Sequence, residues 1–363
     1  MKKLFFIAAI AGAALVSCTK NELAPSVTEQ QEISFANPVS HVVTKVDLIP
    51  ATYPTGSSFS VFADYHKAVY ASTAIADFTP YMRGSEGVDV SHKTTEIGSY
   101  DSYWAATTAY YWPKDGYLTF SAYSPAETKN DATITYSVTN GVSIDDYIIK
   151  QDLSNQRDLM LSNREIDETS DKMVLNNPNP YDGVQLTFNH VLSAIKFTVN
   201  TDADYSPDGY TITLKSLKVK NAYAQGDMTQ FVNKDATAVN LASVWSNLAT
   251  EVTEGYGVFA GTQALSTTEH PFSGDAHADL VLLPQTLNHG AGANKVIAEV
   301  IYTVSHSDMG GESIEYTVPL DLSSKTTAWD AGKRYIYNIT IGMNQIVFAP
   351  KVTPWDTQDP ISF

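Results

Sequence analysis

The chain contains a single cysteine, Cys18, among 363 residues. Cys18 closely follows an apolar run from Leu4 to Val16, and Lys2 and Lys3 precede that run. One thiol excludes an internal disulfide framework, a cysteine-based zinc site and an iron–sulfur cluster. The chemistry that remains for Cys18 is modification of its own sulfur, at the end of a segment too short to span a membrane permanently.

The residues Leu15-Val16-Ser17-Cys18 resemble the lipobox of bacterial lipoprotein signal peptides. That resemblance implies cleavage between Ser17 and Cys18, acylation of the Cys18 thiol by palmitate or a similar chain, and a signal peptide at residues 1–17. Several acyl chains make a stable anchor, because each buried CH₂ contributes about 0.8 kcal/mol. Residues 18–32 are polar and without a period, which predicts a flexible tether.

Oxygen ligands and histidines elsewhere invite a metal interpretation. Asp204 to Gly209 begins like a calcium loop, but Lys215 stands where the bidentate carboxylate of the twelfth position is needed, so a hairpin loop is favoured. His270 and His277 lie near carboxylates without a zinc-binding spacing. No glycine-rich phosphate loop and no G-x-S-x-G elbow occur. We therefore predict no metal, no cofactor and no enzymatic activity.

Composition limits the partners. The 40 acidic and 23 basic residues give a net charge of −17, which argues against binding to nucleic acid or to anionic lipid through basic patches. A hydrophobic content of 43% is sufficient for packed cores. The 21 tyrosines and the low charged fraction of 17% favour strands over helices.

Short runs of alternating apolar residues, separated by turn residues, predict an all-β protein with little helix. A proline-rich break from Asn176 to Gly183 divides the chain into predicted β-sandwich domains at residues 33–178 and 179–363. Short helical turns are expected at Lys67 to Phe78 and at Leu241 to Leu248. The expected strands include Ile33–Phe35, Phe59–Ala63, Tyr117–Tyr123, Thr133–Val138, Asp158–Ser162, Val184–Phe188, Ala194–Val199, Tyr210–Val219 with a slip in the alternation, Leu280–Leu283, Val296–Val304, Ile314–Leu322 and Tyr335–Ile341.

Several segments along the chain resemble those of fimbrillins, the pilin lipoproteins of Bacteroidota. In the second half these are Leu186 to Phe197 (F-x-H-x-L-S-K/A-I in the family), Leu282-Leu283-Pro284-Gln285, Trp329 to Tyr337 (W-x-A-G-K-x-Y-x-Y) and Ile346 to Trp355 (I-x-F-x-P-x-V-x-x-W). In the first half, Tyr111-Trp112-Pro113, Leu118 to Tyr123 and Asp158-Leu159-Met160 fit as well. Read from the residues alone, His190 is expected to be a satisfied, partly buried side chain.

The resemblance implies two transthyretin-like β-sandwich domains in series, and export as an outer-membrane lipoprotein. It also implies assembly into surface fimbriae by β-strand addition, with other fimbrial subunits, alike or different, as partners. In that family a protease removes the N-terminal segment and its first strand, here Ile33 to Phe35. The candidate cut lies between Lys45 and Val46, with lysine where the family has arginine. The C-terminal stretch 345–363 is the candidate donor strand. Its prolines are expected to limit uninterrupted pairing to its first five residues, Gln345, Ile346, Val347, Phe348 and Ala349.

A second class of protein competes with the structural pilin. Many surface lipoproteins with β-sandwich folds bind glycans, and an aromatic cluster in the first half, if exposed, would stack on sugar faces. Packing of this cluster in the core is the favoured interpretation. Its members are Tyr100, Tyr103, Trp104, Tyr110, Tyr111 and Trp112. A receptor on a host or bacterial surface, either protein or glycan, completes the expected partners.

Overall fold

The computed structural model describes residues 31–40, 53–94, 103–170, 183–229, 245–272, 279–289, 295–343 and 346–354. Within these ranges the regular structure is almost entirely strand. The strands are β1 (Val39–Ser40), β2 (Ser58–His66), β3 (Thr79–Met82), β4 (Val88–Lys93), β5 (Tyr103–Ala106), β6 (Tyr117–Ser124), β7 (Thr133–Ser137), β8 (Gly141–Ile148), β9 (Met160–Ser162), β10 (Glu165–Glu168), β11 (Thr187–His190), β12 (Ser193–Thr201), β13 (Tyr210–Lys220), β14 (Ala222–Thr229), β15 (Trp245–Val252), β16 (Tyr256–Ala264), β17 (His270–Phe272), β18 (Leu280–Leu282), β19 (Gln285–Thr286), β20 (Ile297–His306), β21 (Ser313–Asp321), β22 (Ala328–Trp329), β23 (Lys333–Ile341) and β24 (Ile346–Pro354).

Helix in the described ranges is confined to short 3₁₀ turns. They are Tyr70–Ser72, Ile75–Asp77, Ala126–Asn130, Leu153–Asn155, Ser206–Asp208, Ser307–Met309 and Leu322–Ser324. The turns expected between Lys67 and Phe78 are confirmed by the first two of these. The helical turn expected at Leu241 to Leu248 is wrong where it can be compared, because Trp245–Val252 is strand β15, paired with β14.

The first sheet contains the early strands of the chain. Its path runs β1-β11-β9-β6-β2-β4-β5, and β10 and β3 pair with β6 and β2. The inner face carries a core dominated by aromatic and aliphatic side chains that are almost fully buried, including Phe35, Phe59, Val61, Trp104, Phe120 and Phe188. The strong alternation in β2 and β6 therefore predicts this face correctly, since successive side chains of a strand point to opposite sides.

Of the four further sheets in the described ranges, the smallest pairs β19 with β22, and three larger ones contain the remaining strands. One runs β17-β12-β23-β24, with β18 also on β12, and a second runs β16-β13-β20-β21. In the first of these β12 and β23 are parallel, whereas β23 and β24 are antiparallel. The slip predicted in Tyr210–Val219 is confirmed, because the register of β13 shifts between Leu214 and Ser216 against both of its neighbours. The third sheet runs β15-β14-β8-β7, and it combines strands from both halves of the chain.

The predicted fold class is confirmed: the protein is all-β, with several antiparallel sheets as β-sandwich domains require and with little helix. The division into residues 33–178 and 179–363 stays a prediction, and its boundary falls in residues 171–182, outside the described ranges. Several strand pairings cross it, among them that of β1 with β11. Strand β11 pairs with β9, and β14 pairs with β8.

Candidate functional site

The segment 31–36 lies between the two ends of the first sheet. On one side, the Ile33 and Phe35 amides donate to the carbonyls of Tyr110 and Trp104 at 2.7 and 2.8 Å. On the other, the Val184 amide donates to the Ser34 carbonyl at 3.0 Å, and the Ala36 amide donates to the Val184 carbonyl at 3.1 Å. Because Trp104 belongs to β5 and Val184 lies three residues before β11, this segment closes the sheet path around its core.

Phe35 fills the centre of the aromatic core. Its side chain is fully buried, and its ring meets those of Phe59 and Phe120 edge to face, at centroid distances of 5.6 and 5.8 Å. Ile33 is 1% exposed, and the intervening Ser34 is also buried. Burial of a Phe or Ile side chain contributes about 1.5–3 kcal/mol. The segment is thus held by backbone hydrogen bonds on its two edges and by two buried apolar side chains, Ile33 and Phe35.

The candidate donor strand lies at the other end of the chain, as β24. It pairs with β23 only and forms an edge of its sheet. Register is continuous from Ile346 opposite Ile341 to Pro354 opposite Lys333. The expectation that the prolines restrict pairing to residues 345–349 is therefore wrong, because β24 places both Pro350 and Pro354 within a continuous ladder. Val347 and Val352 are about half exposed, so β24 is weakly covered on both faces.

Some of the predicted site residues lie outside the described ranges. They are Ser17, Cys18, Lys45, Val46 and Gln345. Lipidation at Cys18 and cleavage after Lys45 therefore stay predictions. Ile346, Val347, Phe348 and Ala349 all lie on β24.

The sequence segments that carried the resemblance have architectural roles. Trp329 is 1% exposed, and its Nε1 donates to the Tyr337 hydroxyl at 2.9 Å. The Asp330 amide donates to the Tyr335 hydroxyl at 2.9 Å. The expectation for His190 is confirmed, since its side chain is largely buried and its Nδ1 lies 2.8 Å from a carboxylate oxygen of Asp158.

The aromatic cluster of the first half packs mainly inward. Trp104 and Trp112 are 2% and 4% exposed, so neither offers a ring face to a sugar. Tyr53 stacks on Phe188 beside Trp104, and burial raises the pKa of Tyr53 to about 12. Tyr111 is exposed, whereas Tyr100 lies outside the described ranges. The favoured core interpretation is confirmed for the two tryptophans.

In the loops considered for metal binding, the carboxylate oxygens are bonded to other groups of the chain. Asp204 accepts from the amide and the hydroxyl of Ser206, which lowers the pKa of Asp204. Asp279 binds Arg334 Nε at 2.6 Å, although burial raises the pKa of this carboxyl. Over the described residues, no group of three or more His, Cys, Asp or Glu side chains is placed to hold a metal ion. The same part of the chain contains no helix long and apolar enough to cross a bilayer.

Sequence reasoning missed two features of this region. It recognised Ile33–Phe35 as a strand, but the two partners of that strand are remote in sequence and no local pattern encodes them. It also ended the expected strand at Ala63, whereas β2 continues through Asp64 to His66. Both are buried, at 1% and 0% exposure. The alternation of polar and apolar residues continues through both positions and could have extended the strand. Alternation alone, however, does not show whether the polar side of a strand faces solvent or a second layer of the protein.

The described chain is thus all-β, and a segment that precedes β1 bonds to both ends of the first sheet. A family model described as "Fimbrillin-like" matches residues 58–355. The chain belongs to this fimbrillin-like family. The match runs from the start of β2 to just beyond β24.

The fold has a counterpart among solved structures. A fimbrial protein from Bacteroides vulgatus is 18% identical, with a TM-score of 0.54, and the alignment covers 90% of this chain and 99% of that one. The tip fimbrial protein Mfa3 from Porphyromonas gingivalis is 12% identical, with a TM-score of 0.33 over 82% of this chain and 94% of that one. No curated protein sequence matches the chain.

Proposed function

We propose that the protein is a structural fimbrial subunit, exported to the outer membrane as a lipoprotein through Cys18 and joined to neighbouring subunits by β-strand addition. The observation that carries this proposal is the position of the segment 31–36, which closes the first sheet without being continuous with either neighbour. Family membership supports the fimbrial role and a non-enzymatic one. Surface location follows from that role.

Removal of the closing segment would expose two strand edges at once. Cleavage after Lys45 would separate residues 31–36 and β1 from β2 onward. The carbonyls of Trp104 and Tyr110 and both backbone groups of Val184 would then lose their partners, and the pockets of Ile33 and Phe35 would open. Unpaired backbone groups beside apolar pockets bind an extended chain strongly. The new strand forms hydrogen bonds with the backbone groups, and its apolar side chains fill the pockets.

The C-terminal strand has the side chains to fill those pockets. Ile33-Ser34-Phe35 and Ile346-Val347-Phe348 place the same two apolar residues at the same spacing. Since side chains two apart share a strand face, Ile346 and Phe348 of one subunit would replace Ile33 and Phe35 of the next. Strand β24 is suited to leave its own sheet because it has a single neighbour there and is weakly covered. Its partners would be copies of this chain or related subunits.

The test compares the full chain with a chain that begins at Val46. We expect the shortened chain to form a ladder of oligomers that resists SDS, while the full chain stays monomeric. Substituting Phe348→Glu in the shortened chain should abolish the ladder. The matched control Val347→Glu, whose side chain is already half exposed, should preserve it. A shortened chain that is folded and monomeric would overturn assembly by strand addition.

Peptides keep the test informative if the shortened chain folds poorly. A peptide of residues 29–38 and one of residues 344–353 should each restore its thermal stability, and the Phe35→Glu and Phe348→Glu forms of these peptides should not. Restoration by the first peptide alone would count against β24 as the donor.

Intact mass of the envelope-derived protein tests the anchor: an acylated Cys18 is expected before cleavage, and a free N-terminus at Val46 after it.

A further inference from the structure

The outer face of the first sheet, opposite the aromatic core, is unusually polar for a buried surface. Strand β2 directs Asp64 and His66 to this face, and β6 directs Thr119 and Ser121 to it. All four are between 0% and 2% exposed. Tyr136 of β7 covers part of the face, with its ring stacked on Phe62 at 4.7 Å. Buried polar side chains are stable only when they are hydrogen-bonded and their charges are balanced.

Arg164 is the residue on this face whose charge is not balanced. It is 1% exposed, and its Nη1 donates to the Tyr70 hydroxyl at 2.5 Å. The Tyr70 ring lies against the guanidinium, 5.7 Å from Cζ. Within the described chain, Nε and Nη2 are buried without a hydrogen-bond partner, and no carboxylate forms an ion pair with Arg164. An uncompensated buried charge is strongly destabilising, so a guanidinium in this state needs a counter-charge.

The acidic groups on this face are already committed. One oxygen of Asp64 pairs with Arg83, and the other accepts from the Tyr136 hydroxyl at 2.9 Å. The Arg83 guanidinium also lies over the Tyr136 ring, 4.6 Å from its centroid. Both Arg83 and Arg164 act electrostatically on the Tyr136 hydroxyl. Asp167 is committed as well, because it accepts from the Tyr70 amide at 2.6 Å and lies 3.8 Å from His66 Nδ1. Arg164 is thus left without an ion-pair partner of its own in the described chain.

A second unpartnered donor lies beside Arg164. Glu165 pairs with Phe120 across β10 and β6, which places Arg164 opposite Ser121, on the same face of the sheet. The Ser121 hydroxyl is also buried without a hydrogen-bond partner in the described chain. Two nitrogen donors of a cation and one hydroxyl are thus buried at neighbouring positions on the same face of the sheet.

We propose that a small inorganic anion of halide size binds there, held by Arg164 Nε and Nη2 and by the Ser121 hydroxyl. The ligand is small because the side chains that offer the donors are almost fully buried. It is an anion because the guanidinium is positively charged and its nitrogens only donate hydrogen bonds, and because the serine hydroxyl can donate as well. The site is independent of strand addition, since it lies on the opposite face of the sheet from the pockets of Ile33 and Phe35.

Thermal unfolding of the full chain tests the proposal. The melting temperature is measured in sodium gluconate, which is too large for the site, with increasing replacement by sodium bromide or chloride at constant sodium concentration. A ligand that binds only the folded state should raise Tm by about 2 °C for each tenfold increase in halide above its Kd. An unchanged Tm would overturn the site. Because the sodium concentration is constant, general electrostatic screening of this acidic protein is the same in every sample.

Two variants locate the effect. Arg164→Gln should remove the halide dependence, whereas Arg157→Gln, at a partly exposed arginine paired with Asp131, should retain it. If Arg164→Gln does not fold, Ser121→Ala should weaken the halide dependence several-fold without loss of fold. Direct binding is measured on the unmodified chain as broadening of the chloride-35 NMR line, which bromide should reverse. Equal halide dependence in the Arg164 and Arg157 variants, or an unbroadened line, would refute the assignment.

Discussion

Two tyrosine hydroxyls hold the turn at Trp329 against β23. The turn needs its glycine, because Gly332 has a φ of +68°. From this turn the Asp330 amide and the Trp329 indole reach the hydroxyls of Tyr335 and Tyr337. Burial raises the pKa of Tyr335 to about 12, and that of Tyr337 higher still, so both hydroxyls stay neutral near physiological pH. The sequence shows the spacing of the tryptophan, the glycine and the tyrosines, but it does not predict the hydrogen bonds to the two hydroxyls.

Substituting Tyr337→Phe should lower the free energy of unfolding by about 1–3 kcal/mol, because it leaves the buried Trp329 N–H unpartnered while the ring stack on Phe197 is retained. The cost should be constant between pH 6 and 9. Denaturant titration measures it. Tyr316→Phe, at a tyrosine that is 41% exposed, is the control and should stay within about 0.5 kcal/mol. Equal losses in the two variants would contradict a specific role for the indole bond.

At the scale of elements, the free edge of β24 is protected by its prolines. In an antiparallel ladder, residues alternately bond to the neighbour and face away from it. Proline has no amide hydrogen, so the continuous ladder with β23 places Pro350 and Pro354 where the backbone faces the free edge. The sequence suggested that these prolines would interrupt the strand. Their effect depends on which neighbour is present, and a local pattern does not encode this.

Restoring the missing edge donors should promote unwanted association. The double substitution Pro350→Val and Pro354→Val gives the edge of β24 a full row of amide hydrogens, and exposed strand edges of this kind pair with other chains. We expect dimers or larger species of the full chain in light scattering at concentrations where the unmodified chain is monomeric. Ala349→Val adds a similar apolar side chain without a new edge donor, and it should remain monomeric. Association of the control alone would show that side-chain hydrophobicity, not the edge, is responsible.

At the scale of the whole molecule, the sheet β15-β14-β8-β7 joins the two halves of the chain. Its buried side chains, such as Val142 and Ile144, belong to one hydrophobic cluster with residues of the second half, such as Val300 and Tyr337. Alternation in the sequence indicated the strands of Thr133–Val138 and of the second half, and the proline-rich break suggested separate domains. Which strands share a sheet depends on contacts between residues far apart in sequence. For this reason the joining of the halves could not be predicted.

This shared sheet should make unfolding of the full chain cooperative. In calorimetry we expect one peak, with equal calorimetric and van't Hoff enthalpies, because neither half completes its core alone. Ile144→Ala removes a fully buried side chain from the shared sheet and should lower stability by about 2–5 kcal/mol. Val61→Ala makes a smaller cavity in the aromatic core of the first sheet. Both variants should move the single peak as a whole. Two peaks, each displaced by only one of the variants, would show instead that the halves are independent domains joined by a shared edge.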